Sequence, residues 1–323
     1  MLTTGLQKTL IVMCAAYGAS LAPPAAAQKY PERPVTLLHA YSAGSSSSVL
    51  LRKLADHAGA SLGQRFVVED RPGAGGALAP THMLRSGKAD GYILSQLAQP
   101  ILRIPHIQKT EFDPLNDFTW VIRVIDYTYA MVVKPDAPWK NVTDLVNHAK
   151  ANPGKLTYAT SGVGVTMHMA MENLATITGI KWVHAPHRQI TDMINAVAGG
   201  TVDIMSSAIS WAPLVDSGKL RVLCILSAKR VKRWPDIPTV REQGYDVNAS
   251  SSYGIGGPRG MDPRIVKLLH DTFRKGLDDP EFQKLLERYD TVASYQSTED
   301  YTRWAREQYA AEKIVVEKFG LKQ

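Results

Sequence analysis

Two short stretches carry most of the chemistry this sequence offers. The first, LTYATSGVGVTMH from Leu156 to His168, reads as a strand, a Gly/Ser/Thr loop and a helix start. Its β-branched and aromatic residues suit a strand, two glycines free the backbone, and hydroxyls cluster where the helix begins, so several amide N–H groups can face one ligand. Clustered amides and helix N-termini attract carboxylate or phosphate whatever the fold. The second, Tyr41-Ser-Ala-Gly-Ser-Ser-Ser-Ser48, repeats the pattern of glycine and hydroxyls running into a helix. Together they suggest one anion held from both sides of a cleft. The alternatives are an ordinary strand-to-helix turn capped by Ser161 or Thr166, and a low-complexity serine loop.

Other chemistries find little support. Gly59-Ala-Ser61-Leu-Gly63 matches G-x-S-x-G, but a nucleophile elbow lies between a strand and the next helix, whereas Ser61 ends a helix that leads into a strand. Gly63 reads as the stop of that helix. His168 is open to three readings: a base, a ligand contact, or a side chain that packs against or hydrogen-bonds its loop. No acid–base–nucleophile set stands in strand-end positions. H-E-x-x-H, paired cysteines, EF-hand loops and Walker loops are absent, so no metal or cofactor is expected. Arg71-Pro-Gly-Ala-Gly-Gly76 has Leu78 where a dinucleotide fingerprint wants Gly or Ala.

The elements that must position these loops alternate. VTLLHAY, a helix from Val49 to Ser61, RFVVED, a helix from Ala77 to Ser86 and YILSQL form one α/β series. After a loop at Pro105 to Pro114 come WVIRVI, YAMVVKP, a helix from Asn141 to Ala151, LTYAT, a helix from Thr166, WVHAP, a helix from Thr191 and VDIMSSA. Such alternation marks parallel sheets flanked by helices, and nearly continuous apolar strands suit sheets covered on both faces. A strand LRVLCILS, another at Ser251 to Gly256 and two or three amphipathic helices from Pro263 complete the pattern. Ligands bind at the carboxyl ends of strands in open α/β sheets, which is where both stretches lie.

Lys8, the apolar run Leu10 to Ala16 and small residues ending at Ala27 have the layout of a secretory signal. Residues 1–27 are therefore expected to be removed, with Cys14 too poorly placed behind Met13 for lipid attachment. No later stretch reaches the roughly 20 apolar residues needed to span a bilayer. Cys224 is then the only cysteine, which leaves stability to a core and not to a disulfide. The formal charge of +7 falls to +6 without Lys8. Its basic residues are scattered, which speaks against nucleic acid and agrees with a small anion.

In combination the motifs resemble the Bug family, the periplasmic solute receptors of tripartite tricarboxylate transporters. YPERPVTLLHAYSAG, VVEDRPGAGG, KADGYIL, FDPLNDF, LVNHAKANPGKLTYATSGVG, AGGTVDIM, SGKLRVL and PDIPTVREQGY fall in the family's order over nearly the whole chain after the signal. The resemblance implies an α/β, two-lobed Venus-flytrap fold, each lobe a mostly parallel sheet flanked by helices. Lobe one would be residues 28–125 and 247–323 and lobe two 126–246, with hinge crossings near Asp126 and Asp246. It implies a ligand held by Tyr41, Ser42, Ala43, Gly44, Ser46 and Ser48 on one side and by Ser161, Gly162, Val163, Thr166 and His168 on the other, with His187 and Ser207 nearby.

Departures from the family pattern bear on the solute. Ser48 and Ser207 replace common acids, and Pro186-His187-Arg188-Gln189 replaces Pro-Tyr-Lys-Gly. A pocket that loses acids and gains hydroxyls disfavours an amino acid and favours a dicarboxylate. Tyr41, His187 and Trp211 could offer flat surfaces to an aromatic, phthalate-like one, unless Trp211 is a buried packing residue. The expected partners are a small carboxylate and the membrane permease subunits of such a transporter, and the expected state is a monomer in the periplasm. The alternatives are a secreted α/β enzyme acting on a carboxylate or ester, and a receptor used for signalling.

Overall fold

The computed structural model describes residues 30–86 and 88–321, so the signal segment lies outside the described residues. In the first lobe β1 (Val35–His39), α1 (Ser46–Leu62), β2 (Phe66–Asp70), α2 (Leu78–Ser86), β3 (Ile93–Ala98), α3 (Pro100–Ile107) and β4 (Phe118–Tyr127) run in order. The second lobe follows with β5 (Tyr129–Val133), α4 (Val142–Ala151), β6 (Thr157–Thr160), α5 (Thr166–Thr178), β7 (Val183–Pro186), α6 (Ile190–Ala198), β8 (Ile204–Ala208), α7 (Ala212–Asp216) and β9 (Arg221–Ile225). The chain then returns through β10 (Ser251–Pro258), α8 (Pro263–Leu277), α9 (Pro280–Arg288), β11 (Val292–Gln296) and α10 (Thr298–Lys318) to cover the first lobe.

The two sheets have strand orders β11-β4-β10-β3-β1-β2 and β7-β6-β8-β5-β9. The expected parallel pairing holds at the βαβ hearts, β1 with β2 and β3, and β6 with β7 and β8. The remaining neighbours pair antiparallel, making both sheets mixed. The cause is the connection between lobes: β4 runs into β5 with only Thr128 between them, and β10 comes back beside β4 in the opposite sense.

Local sequence explains the elements that frame the cleft. In α1, Leu50, Leu51, Leu54, Ala55 and Ala58 form a stripe at three- and four-residue spacing and are all buried, which holds the helix against the sheet. Ser45 Oγ accepts the Ser48 N–H at its start, and Gly63 ends it in the left-handed region, as helix caps require. Ser61 sits exposed in its last turn, far from any nucleophile elbow. Three elements escaped the sequence reading, among them the short helix α7 (Ala212–Asp216) after β8. α3 runs through Pro105, where the prolines suggested loop, and β11 is a short edge strand without a continuous apolar run.

Gly254 in β10 shows how tightly the first sheet is packed. A Cβ there would lie 2.1 Å from the Ile122 carbonyl oxygen and 2.5 Å from the Tyr301 ring. Gly254→Ala should therefore destabilise the protein by at least about 2 kcal/mol in urea titration. Trp211, one of the flat surfaces expected for a ligand, is instead fully buried and stacked on Trp234. It is a packing residue of the second lobe because the loop after β8 turns inward. Cys224 in β9 is fully buried, and burial pushes its thiol up to about 12. Ellman's reagent should leave the native protein unmodified and react once denaturant unfolds it; rapid reaction of the native state would contradict this packing.

Candidate functional site

Between the lobes, three helix N-termini converge on one cavity: α1 from the first lobe, α5 and α6 from the second. Each forms for a local reason. The chain leaves β1, turns at Gly44 (φ +78°) and enters α1 at Ser45. It leaves β6, turns at Gly162 (φ +145°) and Gly164 (φ +74°), and enters α5 at Val165. Neither Val165 nor Gln189 offers a side-chain cap; in α6 the Ile190 amide is taken by Ser42 of the first lobe, whereas the first-turn amides of α5 lack a capping side chain. Donors left open at helix starts are an anion site in waiting.

The hydroxyls around the cavity point the same way. Ser161 Oγ and Thr166 Oγ1 are buried with no hydrogen-bond partner, an unfavourable state unless an acceptor arrives. The cavity leaves about 60 Å³ to the centres of water-sized spheres, enough for a few waters or one compact ligand. Tyr127 and Tyr129, flanking the crossing between lobes, form part of its wall. Burial raises the pKa of both, and of Tyr41, so these phenols stay neutral.

The lobes also touch. Ile190 N–H donates to Ser42 Oγ (3.2 Å), and Ser46 N–H donates to Ser210 Oγ (3.0 Å). Arg103 of α3 donates to the Gly164 carbonyl at 2.9 Å. It is held by Glu312 of α10 at 2.6 and 2.7 Å, and both side chains are buried. This arginine takes one carbonyl of the loop and so ties the α5 loop to α3 and α10.

Of the expected ligand residues, Tyr41, Ser42, Ser46, Ser161, Thr166 and Ser207 line the cavity. Ala43 and Gly44 are exposed and shape the turn. Ser48 faces away, its Oγ donating to Asp70 Oδ1 at 3.0 Å. His168 lies beneath its loop, where its Nδ1 accepts the Gly164 N–H at 3.2 Å and its ring stacks on His184 at 4.2 Å. Burial lowers the pKa of His168 and pushes His184 down to about 3. Both are neutral, so they add no cation to the site. Gly162, Val163 and His187 border an adjacent space with Gly73 to Gly75. Ser161 and the exposed Arg188 line both spaces.

The sequence reading held Ser45 and Ser47 within its first loop without singling them out, named Arg188 without giving it a role, and missed Tyr127, Tyr129, Met193 and Ser210. Ser210 follows β8, a strand end where ligand loops are expected. Tyr127 and Tyr129 end one strand and begin another in a different sheet, on either side of Thr128, so no strand periodicity marked them. The expected lack of an acid–base–nucleophile set is corrected by geometry. Ser47 Oγ lies 2.8 Å from His39 Nε2, and His39 Nδ1 lies 2.7 Å from Asp70 Oδ1. The end of β1, the start of α1 and the end of β2 bring them together, a contact that sequence separation hides. Among the described residues no group of three or more His, Cys, Asp or Glu is placed to hold a metal ion, and no helix is long and apolar enough to cross a membrane.

Comparison with known proteins places this geometry in context. The model of the tripartite tricarboxylate transporter family receptor, TctC, matches residues 50–321, starting just beyond the first loop. The UPF0065 protein in the gbd 5' region of Cupriavidus necator is 40% identical over 297 residues, covering 92% of this chain and 90% of that one. The solved structure of the periplasmic binding protein BugD is 26% identical with a TM-score of 0.85, covering 91% of this chain and 99% of its own. That of Rhodopseudomonas (R. palustris) Rpa4515 with adipate is 27% identical, also at 0.85, covering 90% and 98%. The family is one of periplasmic solute-binding receptors and not of enzymes. The chain belongs to this tripartite tricarboxylate transporter receptor family, and its two-lobed α/β fold is that of the Bug periplasmic binding proteins.

Proposed function

We propose that this protein is exported to the periplasm by its N-terminal segment, captures a dicarboxylate between its lobes as a monomer, and presents it to the permease subunits of a tripartite tricarboxylate transporter. The observation that carries the reading is the pair of buried, unpartnered hydroxyls, Ser161 and Thr166, beside the uncapped start of α5. One carboxylate satisfies both hydroxyls and the amides through charge-assisted hydrogen bonds. The second carboxylate reaches Arg188, whose guanidinium borders both the cavity and the adjacent space. The relative crystallised with adipate supports a two-ended ligand. Tyr41, Tyr127 and Tyr129 supply ring faces that suit an aromatic spacer such as phthalate.

Capture requires a hinge. The lobes are residues 28–125 with 247–323, and 126–246, and they rotate about crossings near Asp126 and Asp246. A ligand that contacts both lobes shifts the population toward the closed state. Arg103, Ser42 and Ser46 already bridge the lobes with a handful of hydrogen bonds.

A thermal-shift and calorimetric screen of acetate, succinate, adipate, phthalate, glutamate and aspartate tests the solute class. Dicarboxylates should raise the melting temperature and bind one to one without turnover. Tight binding of glutamate or aspartate with no dicarboxylate binding would sink the reading. Thr166→Val should weaken every bound carboxylate by about tenfold, while Arg188→Gln should weaken dicarboxylates more than acetate. Small-angle scattering should show compaction when a confirmed ligand is added; an unchanged radius of gyration would argue against hinge closure.

A further inference from the structure

The capture of a carboxylate by the α5 loop leaves one buried polar cluster without a role: Ser47, His39 and Asp70. His39 is fully buried at the end of β1. Its two ring nitrogens are both engaged, Nδ1 with Asp70 Oδ1 at 2.7 Å and Nε2 with Ser47 Oγ at 2.8 Å. Ser47 is itself buried, yet it lines the interlobe cavity. The cluster therefore reaches from the core of the first lobe to the place where the ligand binds.

The groups facing His39 come from three elements. Asp70 stands on β2, Ser47 and Arg52 stand on α1, and the ring of Tyr41 meets the imidazole edge-on at 6.1 Å. Arg52 pairs with the second oxygen of Asp70, and Ser48 donates to the first. Tyr127 borders Ser47 in the cavity, and its phenol is neutral. Burial lowers the pKa of His39 despite the carboxylate beside it. Burial works against the charge on Asp70, but the bonds from His39 and Ser48 and the nearby Arg52 hold its carboxyl below the usual range. At neutral pH the free protein thus has a carboxylate at Asp70 and a neutral imidazole at His39.

These charges fix the direction of each hydrogen bond. An ionised Asp70 only accepts, so His39 donates Nδ1–H to it. The neutral Nε2 is then a lone pair, and Ser47 donates its O–H to the histidine. With its proton on the histidine, the Ser47 oxygen has only lone pairs left, shared between Ser45 Oγ at 3.2 Å and the cavity, where a carboxylate oxygen meets repulsion in place of a donor. The conflict is relieved if Ser47 turns its proton to the ligand. Nε2 then lacks a donor, and a proton from solvent supplies one. The resulting imidazolium donates to both Asp70 and Ser47, and its charge offsets that of the bound carboxylate.

We propose that Ser47, His39 and Asp70 form a proton-linked recognition subsite, so that the receptor takes up a proton on His39 with each carboxylate it captures. The inference rests on the carboxylate reading of the cavity. The order of the three residues is that of the serine-hydrolase relay. A free carboxylate held as an anion offers that relay no leaving group, so here it moves a proton and transfers no acyl group.

The sign follows from linkage. The free protein holds His39 neutral and the complex holds it charged, so affinity falls as pH rises between the two pKa values, by up to about tenfold per pH unit. Below the free-state value His39 is already charged and the dependence vanishes. The test is calorimetric titration of adipate and phthalate into the purified protein near pH 7, in buffers of different ionisation enthalpy, from which proton uptake is read directly. Uptake approaching one proton per ligand is expected, together with several-fold weaker binding at pH 8 than at pH 6. His39→Gln, with its fold checked by thermal melting, should bind with uptake near zero and a flat pH profile. Wild-type binding with no proton uptake would overturn the subsite while leaving carboxylate capture intact. Labelling of Ser47 by a fluorophosphonate would overturn it by showing a nucleophile. If no carboxylate binds, the capture reading fails and this inference falls with it.

Discussion

A buried hydrogen-bond donor without an acceptor is the constraint on which the rest of this structure turns. The cleft collects such donors in the hydroxyls of Ser161 and Thr166, beside the uncapped first turn of α5. Water can satisfy them while the lobes are apart, but closing the cleft removes that water. An anion is the natural replacement, because one carboxylate accepts several bonds at once and each is strengthened by its charge. In the proposed function, binding and closure are then a single event, driven by groups that are costly to bury alone.

The scaffold keeps those donors aimed. Arg103 grips the Gly164 carbonyl and is itself held by Glu312 in a buried pair. A buried ion pair is seldom a large net source of stability, because desolvating both partners costs about what their attraction returns. Its effect here is geometric. It links α3, α10 and the α5 loop, so the loop's orientation depends on the first lobe. The other direct contacts between lobes include the neutral hydrogen bonds at Ser42 and Ser46, each worth about 1 kcal/mol, and the Arg233 guanidinium, which donates to the Arg288 carbonyl at 3.0 Å. A modest differential interaction with ligand therefore suffices to shift the balance between open and closed forms.

The site also separates two tasks. In the proposed binding mode, the amides and hydroxyls that serve any carboxylate sit on the α5 loop. In the same proposed mode, the groups that distinguish one carboxylate from another lie around it, in Arg188, the tyrosines and the relay through His39. Ser48, whose lack of charge first suggested a change of solute, acts only at one remove, through its bond to Asp70.

The sequence by itself determined the α/β class, the order of its strands apart from β11 and the two hydroxyl-rich loops, because these are written in local periodicity, glycine placement and helix starts, while the two lobes came with the family resemblance. Its combination of motifs also pointed to the receptor family. Tertiary structure decided what local pattern does not encode. It buried Trp211 against Trp234, turned Ser48 and His168 away from the cavity and brought Arg188 and Ser210 to its edge. It also assembled His39, Ser47 and Asp70 from two strands and a helix. Those outcomes depend on which neighbour meets a side chain across the fold, and neither spacing nor residue type along the chain records that meeting.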